Sequence, residues 1–308
     1  MTTIWPDADD EEDFDLIVRD ERALGPGVRA LCASLGVTGA TARYPTGSLP
    51  VYAISDLVLK LFPPVHRDEL PVEAGVLAAV HGKLPVPTPA VHASGTYEGW
   101  GYVLMDRMRG QSLASVWSGL STTERDGLAG QLGEAIAALH DVTPPPIDDW
   151  WPDDWPGFVA DQIAACPGRH RALGLDPAWV AQIPAFLAAT PLGGERPVLL
   201  HTEIMSEHLL VAGGRLTGLI DFEPAMRGAP EYDFVGPAVF LADGDTRFYG
   251  RMLRAYGARP DRELRRRLMA WTLLHYYSNV GGYLARLPVP AEPTFDSLAE
   301  AWFGTGTV

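Results

Sequence analysis

The residues with the most chemical potential fall in two stretches far apart in the chain. The first holds Lys60, flanked by Leu59 and Leu61-Phe62, with Glu73 and its rival Glu69 shortly after it. A lysine is a point charge on a flexible stem. It needs a carboxylate partner before it can be held against an anion such as a nucleotide phosphate. The second stretch is His201-Thr202-Glu203-Ile204-Met205-Ser206-Glu207-His208, followed by Gly218-Leu219-Ile220-Asp221-Phe222-Glu223. Two carboxylates placed in this way could divide the work of phosphoryl transfer. Glu203 would orient an attacking hydroxyl and Asp221 would hold Mg²⁺ on the phosphates, because this chemistry is mostly positioning and charge neutralisation. Oxygen ligands suit Mg²⁺.

Further candidates surround these two stretches. Glu223, two residues after Asp221, could reach a metal or a substrate amine. Ser48, in the turn Pro45-Thr46-Gly47-Ser48-Leu49-Pro50, could cover nucleotide phosphates, although no complete GxGxxG is present. The loop Asp148-Asp149-Trp150-Trp151-Pro152-Asp153-Asp154-Trp155 sets carboxylates beside indoles. Asp153 and Trp155 there suit a cationic or sugar-like ligand through charge and ring faces.

The elements that must position these residues follow from pattern and punctuation. Residues 1–15 are acidic and read as a solvated tail. A helix is expected over 22–35, stopped by Gly36. Residues 51–62 read as a hairpin with Ser55-Asp56 as its tight turn. Leu70, Glu73, Leu77 and Val80 give helical spacing over 69–81. Tyr102 to Met105 form a short apolar strand, followed by a connector at 107–110. Leu128, Leu132, Ile136 and Leu139 share one face of a strong helix, and 141–158 reads as a loop. Strands are expected at 198–200, 209–211 and 216–220, the first two flanking the polar loop 201–208. The rest, after Asp233, reads as mostly helical. The class is therefore α+β: a β-rich N-terminal lobe over residues 1–106 and a larger helical lobe over 107–308.

Composition narrows the partners. A formal net charge of −15 repels phosphate backbones and anionic lipids, so neither nucleic acid nor a membrane is expected as a partner. Cys32 and Cys166 form no CxxC or disulfide framework, and the acidic start lacks the pattern of a signal peptide; a cytoplasmic setting is expected. The eight histidines show no zinc-ligand spacing.

In order and spacing, Lys60, Glu73, a hinge over 102–108, the 201–208 loop and Ile220-Asp221-Phe222 resemble the aminoglycoside phosphotransferase family, distant relatives of protein kinases. Gly214-Arg215-Leu216-Thr217-Gly218-Leu219-Ile220-Asp221-Phe222 is an especially close match. The element Pro230-Glu231-Tyr232-Asp233 and the helix ending Ala138-Leu139-His140 are also similar to family features. The resemblance implies a bilobal kinase-like fold. It also implies a site for ATP or GTP, in which Lys60, Glu73, Ser48, Met105 of the hinge and His208 would contact or support the nucleotide. Asp221 and His208 would be the metal positions. The acceptor would be a hydroxyl of a small molecule, most plainly an antibiotic: an aminoglycoside, or a nucleoside or peptide natural product. The family loop is written HGDxxxxN, and this chain departs from it. Thr202 replaces the glycine, Glu203 the catalytic aspartate and His208 the metal-binding asparagine. Glutamate keeps the carboxylate and moves it out by one methylene. Imidazole is a poor Mg²⁺ ligand and a better one for Mn²⁺, so Mn²⁺ stands beside Mg²⁺. His201 reads as structural. A metabolite kinase of the same fold, or a nucleotide-binding pseudokinase without transferase activity, remain the alternatives.

Overall fold

The computed structural model describes residues 4–148, 150–192 and 197–304. The chain opens with two helices, α1 (Glu11–Ile17) and α2 (Glu21–Ser34), which precede strands β1 (Thr41–Arg43), β2 (Val51–Ile54) and β3 (Leu57–Phe62). Helix α3 (Glu69–Val80) leads to β4 (Val91–Tyr97) and β5 (Trp100–Asp106). These strands form one antiparallel sheet in the order β1-β2-β3-β5-β4. The β2–β3 hairpin turns at Ser55-Asp56 as expected, with Ser55 in the left-handed region at φ 55°. Its register places Val51 opposite Lys60, and β5 sets Val103 on the other side of the lysine. Lys60 therefore lies in the middle strand of the sheet, where Leu59, Lys60, Leu61 and Phe62 are all buried.

The acidic start is not a solvated tail. Trp5, Ala8 and Phe14 are buried. The Trp5 ring stacks on Trp100 at 5.1 Å, and its indole N–H donates to the Tyr97 carbonyl at 3.0 Å. Asp10 caps α1 by accepting from the Asp13 amide. Three apolar residues among many acids suffice to dock the segment, because the burial of one indole outweighs the pull of exposed carboxylates that stay in water.

The helical part begins with β6 (Gln111–Ser112) and α4 (Leu113–Val116), then α5 (Thr122–His140), α6 (Trp155–Ala172), α7 (Pro177–Val180) and α8 (Ile183–Ala188). Ser121 and Glu124 cap α5 reciprocally. The expected loop over 141–158 ends early, since α6 starts at Trp155. The Asp154 side chain accepts from the Gly157 amide at 3.1 Å and Pro156 fits the first turn, which are helix-start signals hidden within the Trp/Asp run. Next come β7 (Val198–Leu200), β8 (Leu209–Ala212), β9 (Arg215–Leu219) and β10 (Met226–Gly228). The strands on either side of the 201–208 loop do not pair with each other. β7 pairs with β10, whereas β8 lies between β6 and β9. Helices α9 (Thr246–Tyr256), α10 (Arg262–Leu274), α11 (Val280–Leu284) and α12 (Phe295–Phe303) complete the chain. No helix among the described residues is long and apolar enough to cross a membrane.

Helix α5 crosses α9 at close range, and Gly133 permits it: a Cβ there would overlap the Met252 carbonyl oxygen. Gly133→Ala should therefore destabilise the fold by about 1–3 kcal/mol through overpacking. Gly130→Ala lies in the same helix with nothing within 4 Å of the added carbon. It should be neutral or stabilising by up to about 1 kcal/mol. Paired thermal melts would show the opposite signs.

Candidate active site

The Lys60 ammonium is almost fully buried, yet it is surrounded by acids. Its Nζ lies 3.0 Å from Glu73 Oε2, 2.6 Å from Asp221 Oδ1 and 2.7 Å from Glu223 Oε2. Glu73 reaches it from α3, one turn beyond Glu69, which instead meets His66 at 3.2 Å. Asp221 and Glu223 come from the segment that leaves β9. Asp221 stands at φ 77°, a left-handed conformation that a non-glycine residue adopts only when its surroundings impose it. Burial opposes the lysine's charge, but the three carboxylates overcome it and hold the ammonium well above its ordinary pKa.

One ammonium against three carboxylates leaves an excess of two negative charges. Burial, then the charges of Asp221 and Glu73, push the Glu223 carboxyl well above its usual range despite the nearby lysine. Asp221 goes the other way. Although burial works against it, Lys60 and His208 hold its carboxyl well below the ordinary value. Oxygens of Glu73, Asp221 and Glu223 lie within 4.8 Å of one another. Glu73 Oε1 is buried without a hydrogen-bond partner. Hard oxygen donors with a surplus of acids fit a divalent cation such as Mg²⁺.

His208 stands beside this oxygen set. Its Nδ1 is 2.7 Å from the Glu203 carbonyl oxygen and its Nε2 3.0 Å from Asp221 Oδ2. A carbonyl only accepts, so Nδ1–H donates. Burial disfavours the charged ring, but Asp221 and the Glu203 carbonyl raise its pKa. His208 thus shows N–H groups to Asp221 and Glu203 and works as a clamp between the loop and the strand end.

Glu203 is half-buried. Burial raises its carboxyl above the ordinary range, and no lysine or arginine among the described residues lies within ion-pair distance of it. It faces a cavity of about 90 Å³ lined also by Thr202, Met205, Phe240, His275 and Tyr277. The loop that carries it is organised by Asp233, 1% exposed. Asp233 accepts from the Thr202 amide at 2.6 Å and from the His201 amide at 3.0 Å, and its Oδ2 lies 3.0 Å from His140 Nε2. Thr202 stands at φ 69°, unusual for a β-branched residue. Besides its amide bond, its hydroxyl donates to the Pro224 carbonyl at 2.9 Å. His201 is fully buried. Its Nε2–H donates to the Ile220 carbonyl at 3.0 Å, which ties the loop to the Asp221 strand.

The other sequence candidates lie around this centre. Ser48 is exposed in the turn between β1 and β2, at the end of the sheet where Val51 faces Lys60. Met105 is buried in β5 opposite Val58. Asp153 is exposed. The Trp155 ring packs against Phe158, Tyr232 and Trp271, and a Cβ at Gly228 would overlap it, so its faces are already occupied. Sequence reasoning missed Asp233 as the organiser of the loop, and His275 and Tyr277 as its walls. The run His275-Tyr276-Tyr277 directly after the apolar stripe of α10 was the available signal.

A β-sheet lobe that carries a lysine–glutamate pair, coupled to a helical lobe that supplies two further acids, is the bilobal architecture of protein-kinase-like enzymes. Solved structures share it. The GDP complex of wild-type aminoglycoside 2'-phosphotransferase-IIIa matches with a TM-score of 0.68 at 18% identity, covering 92% of this chain and 97% of that one. Macrolide 2'-phosphotransferase MphH from Brachybacterium faecium matches at 0.59 and 21%, covering 92% and 99%. A ternary complex of aminoglycoside phosphotransferase APH(4)-Ia with ADP and hygromycin B matches at 0.58 and 20%, covering 91% and 98%. The model of the phosphotransferase enzyme family matches residues 44–271. The chain belongs to that family and is a small-molecule kinase.

The loop's buried imidazoles make stability depend on pH. Burial lowers His201 and His275 from the usual 6.5 to about 4. The unfolded chain takes up their protons at the higher value, so the stability they confer is complete above about pH 6.5 and is lost as pH falls toward about 4. His275→Gln keeps a donor toward the Thr202 carbonyl, 3.4 Å away, and cannot titrate. The stability advantage of wild type over this variant should shrink by up to about 1.4 kcal/mol per pH unit in that window. Urea melts at a series of pH values would measure it.

Proposed function

We propose that the chain is an ATP- or GTP-dependent O-phosphotransferase that phosphorylates a hydroxyl of a small molecule, an antibiotic such as an aminoglycoside or a nucleoside or peptide natural product. The observation that carries this reading is the Lys60 cluster: three carboxylates facing one ammonium, with a charge surplus that matches a divalent ion on nucleotide phosphates. The nucleotide-bound and antibiotic-bound states of the similar structures support it. Nucleotide would lie between the lobe of residues 1–106 and that of 107–308, beneath the Ser48 turn and against the Met105 end of β5. A cytoplasmic setting goes with this reading, since nucleotide is supplied there.

In this mechanism Lys60 holds the phosphates, and Glu73 fixes the lysine's stem. Bound at Asp221, with Glu73 and Glu223 at hand, Mg²⁺ or Mn²⁺ would neutralise charge on the phosphates. Glu203 accepts the proton of the acceptor hydroxyl as its oxygen bonds to the γ-phosphorus. The bond from that phosphorus to the β-phosphate oxygen breaks, and its electron pair stays on the departing nucleoside diphosphate. A carboxyl raised by burial is a better base than an exposed one, because its pKa lies closer to the working pH. The longer side chain of Glu203, on a loop pulled onto Asp233, offsets the missing aspartate of the family motif. A second reading, a nucleotide-binding pseudokinase, draws on His208, whose bond to Asp221 takes up one carboxylate oxygen.

Glu203→Gln retains size and loses the charge. It should lower kcat by about 10²-fold or more and leave the Kd for nucleotide nearly unchanged. Turnover equal to wild type with every acceptor tried would remove Glu203 from the chemistry.

Asp221→Asn should abolish transfer and remove the dependence of nucleotide binding on Mg²⁺. Calorimetry with and without the ion would show this, and binding without any detectable transfer by wild type would favour the pseudokinase.

A further inference from the structure

Eight large hydrophobic side chains are exposed among the described residues, and three of them form one patch: Trp151 at 52%, Tyr276 at 44% and Tyr277 at 64%. Trp151 meets Tyr276 edge-on at 5.0 Å, and Tyr276 meets Tyr277 edge-on at 4.8 Å. Exposed aromatic area of this kind is costly in water unless something covers it. The patch is also firmly built. Trp151 rests on Phe158 at 5.3 Å, the Tyr276 amide donates to the buried Tyr232 hydroxyl at 2.9 Å, and His275 stacks on Tyr232 at 4.5 Å. His275 in turn reaches the Thr202 carbonyl, next to Glu203. Tyr277 lines the Glu203 cavity. Tyr277 therefore joins the patch to the cavity of the candidate base, and Tyr276 and Trp151 continue from it ring against ring.

Acids act on the Tyr277 hydroxyl at that opening. The Tyr277 hydroxyl is pushed up to about 12 by burial and then by the charge of Glu203, with Tyr276, Glu69 and Glu223 adding to it. Of these acids, Glu203 has no lysine or arginine within ion-pair distance among the described residues. A ring face beside an unpaired carboxylate attracts a cation that also has a flat or apolar face.

We infer that Trp151, Tyr276 and Tyr277 are the acceptor wall of this site, and that the acceptor is a cationic molecule with a flat or apolar ring face lying on the wall while its hydroxyl reaches Glu203. This rests on the reading of Glu203 as the group that faces the acceptor. It separates the roles of the tryptophans: the faces of Trp155 are spent on the core, and the exposed Trp151 is the ligand's contact.

Three small probes separate the components: benzyltrimethylammonium carries ring and charge, tetramethylammonium the charge alone, and benzyl alcohol the ring alone. Ligand-observed NMR on the full chain should show benzyltrimethylammonium binding about tenfold tighter than either of the others. Trp151→Ala and Tyr277→Ala, both at positions more than half exposed, should each erase most of that preference, whereas Tyr277→Phe, which keeps the ring, should retain it. Equal affinities for the three probes, no detectable binding of benzyltrimethylammonium, or alanine variants that keep the preference would overturn the inference. Nucleotide binding measured on the same samples keeps the two readings apart. Its absence in wild type would sink the phosphotransferase reading and leave the wall's result standing, and its persistence in the alanine variants would show that they fold.

Discussion

The structure turns on one buried cation. Lys60 lies in the central strand of the sheet with almost no access to water, and an ammonium in such a place is costly unless charge is brought to it. Glu73 supplies that charge from within the same lobe, and Asp221 and Glu223 supply it from the other lobe. The cluster is therefore the electrostatic joint between the two lobes as well as the candidate nucleotide site. Its excess of acids is unfavourable by itself, as the raised carboxyl of Glu223 shows. A divalent ion held by these oxygens would relieve that excess.

A second buried charge does for the loop what Lys60 does for the lobes. Asp233 takes the amides of His201 and Thr202 and faces His140, so the end of α5, the loop and the segment after β10 meet on one carboxylate. This arrangement explains how threonine can stand where a left-handed backbone is required. The cost of that conformation, on the order of 1–2 kcal/mol, is offset by the amide bond to Asp233 and the hydroxyl bond to Pro224. His201 and His208 then fasten the loop to the Asp221 strand end, one through a carbonyl and the other through a carboxylate. The altered loop is well connected, and its changes are matched by partners.

Around Glu203 the site is acidic and aromatic. Glu203 lines the cavity with no lysine or arginine among the described residues within ion-pair distance, and the exposed rings continue from that cavity along the surface. The proposed nucleotide side and the proposed acceptor side thus differ in kind. The first is a dense ion cluster around Lys60, and the second sets exposed rings beside Glu203.

Much of the site could be read from residue types and local period. The hairpin that presents Lys60, the helix that presents Glu73 and the strand that leads to Asp221 are set by alternation, by helical spacing and by turns, and these are properties of neighbouring residues. Where local pattern misled, local composition had masked a tertiary contact. The acids of residues 1–15 hid Trp5, Ala8 and Phe14, whose burial needs the Trp100 ring from another part of the chain. The Trp/Asp run hid the start of α6 at Trp155, capped by Asp154. Which carboxylates gather on Lys60 is of the same order: Lys60 and Asp221 are separated by 161 residues, and no periodicity carries that distance. Period and punctuation determine the elements because they act over a few residues. The meeting of Lys60 with Glu223, of Asp233 with the 201–202 amides, and of Trp151 with Tyr276 was decided only when the sheet and helices packed and brought distant charges and rings into one volume.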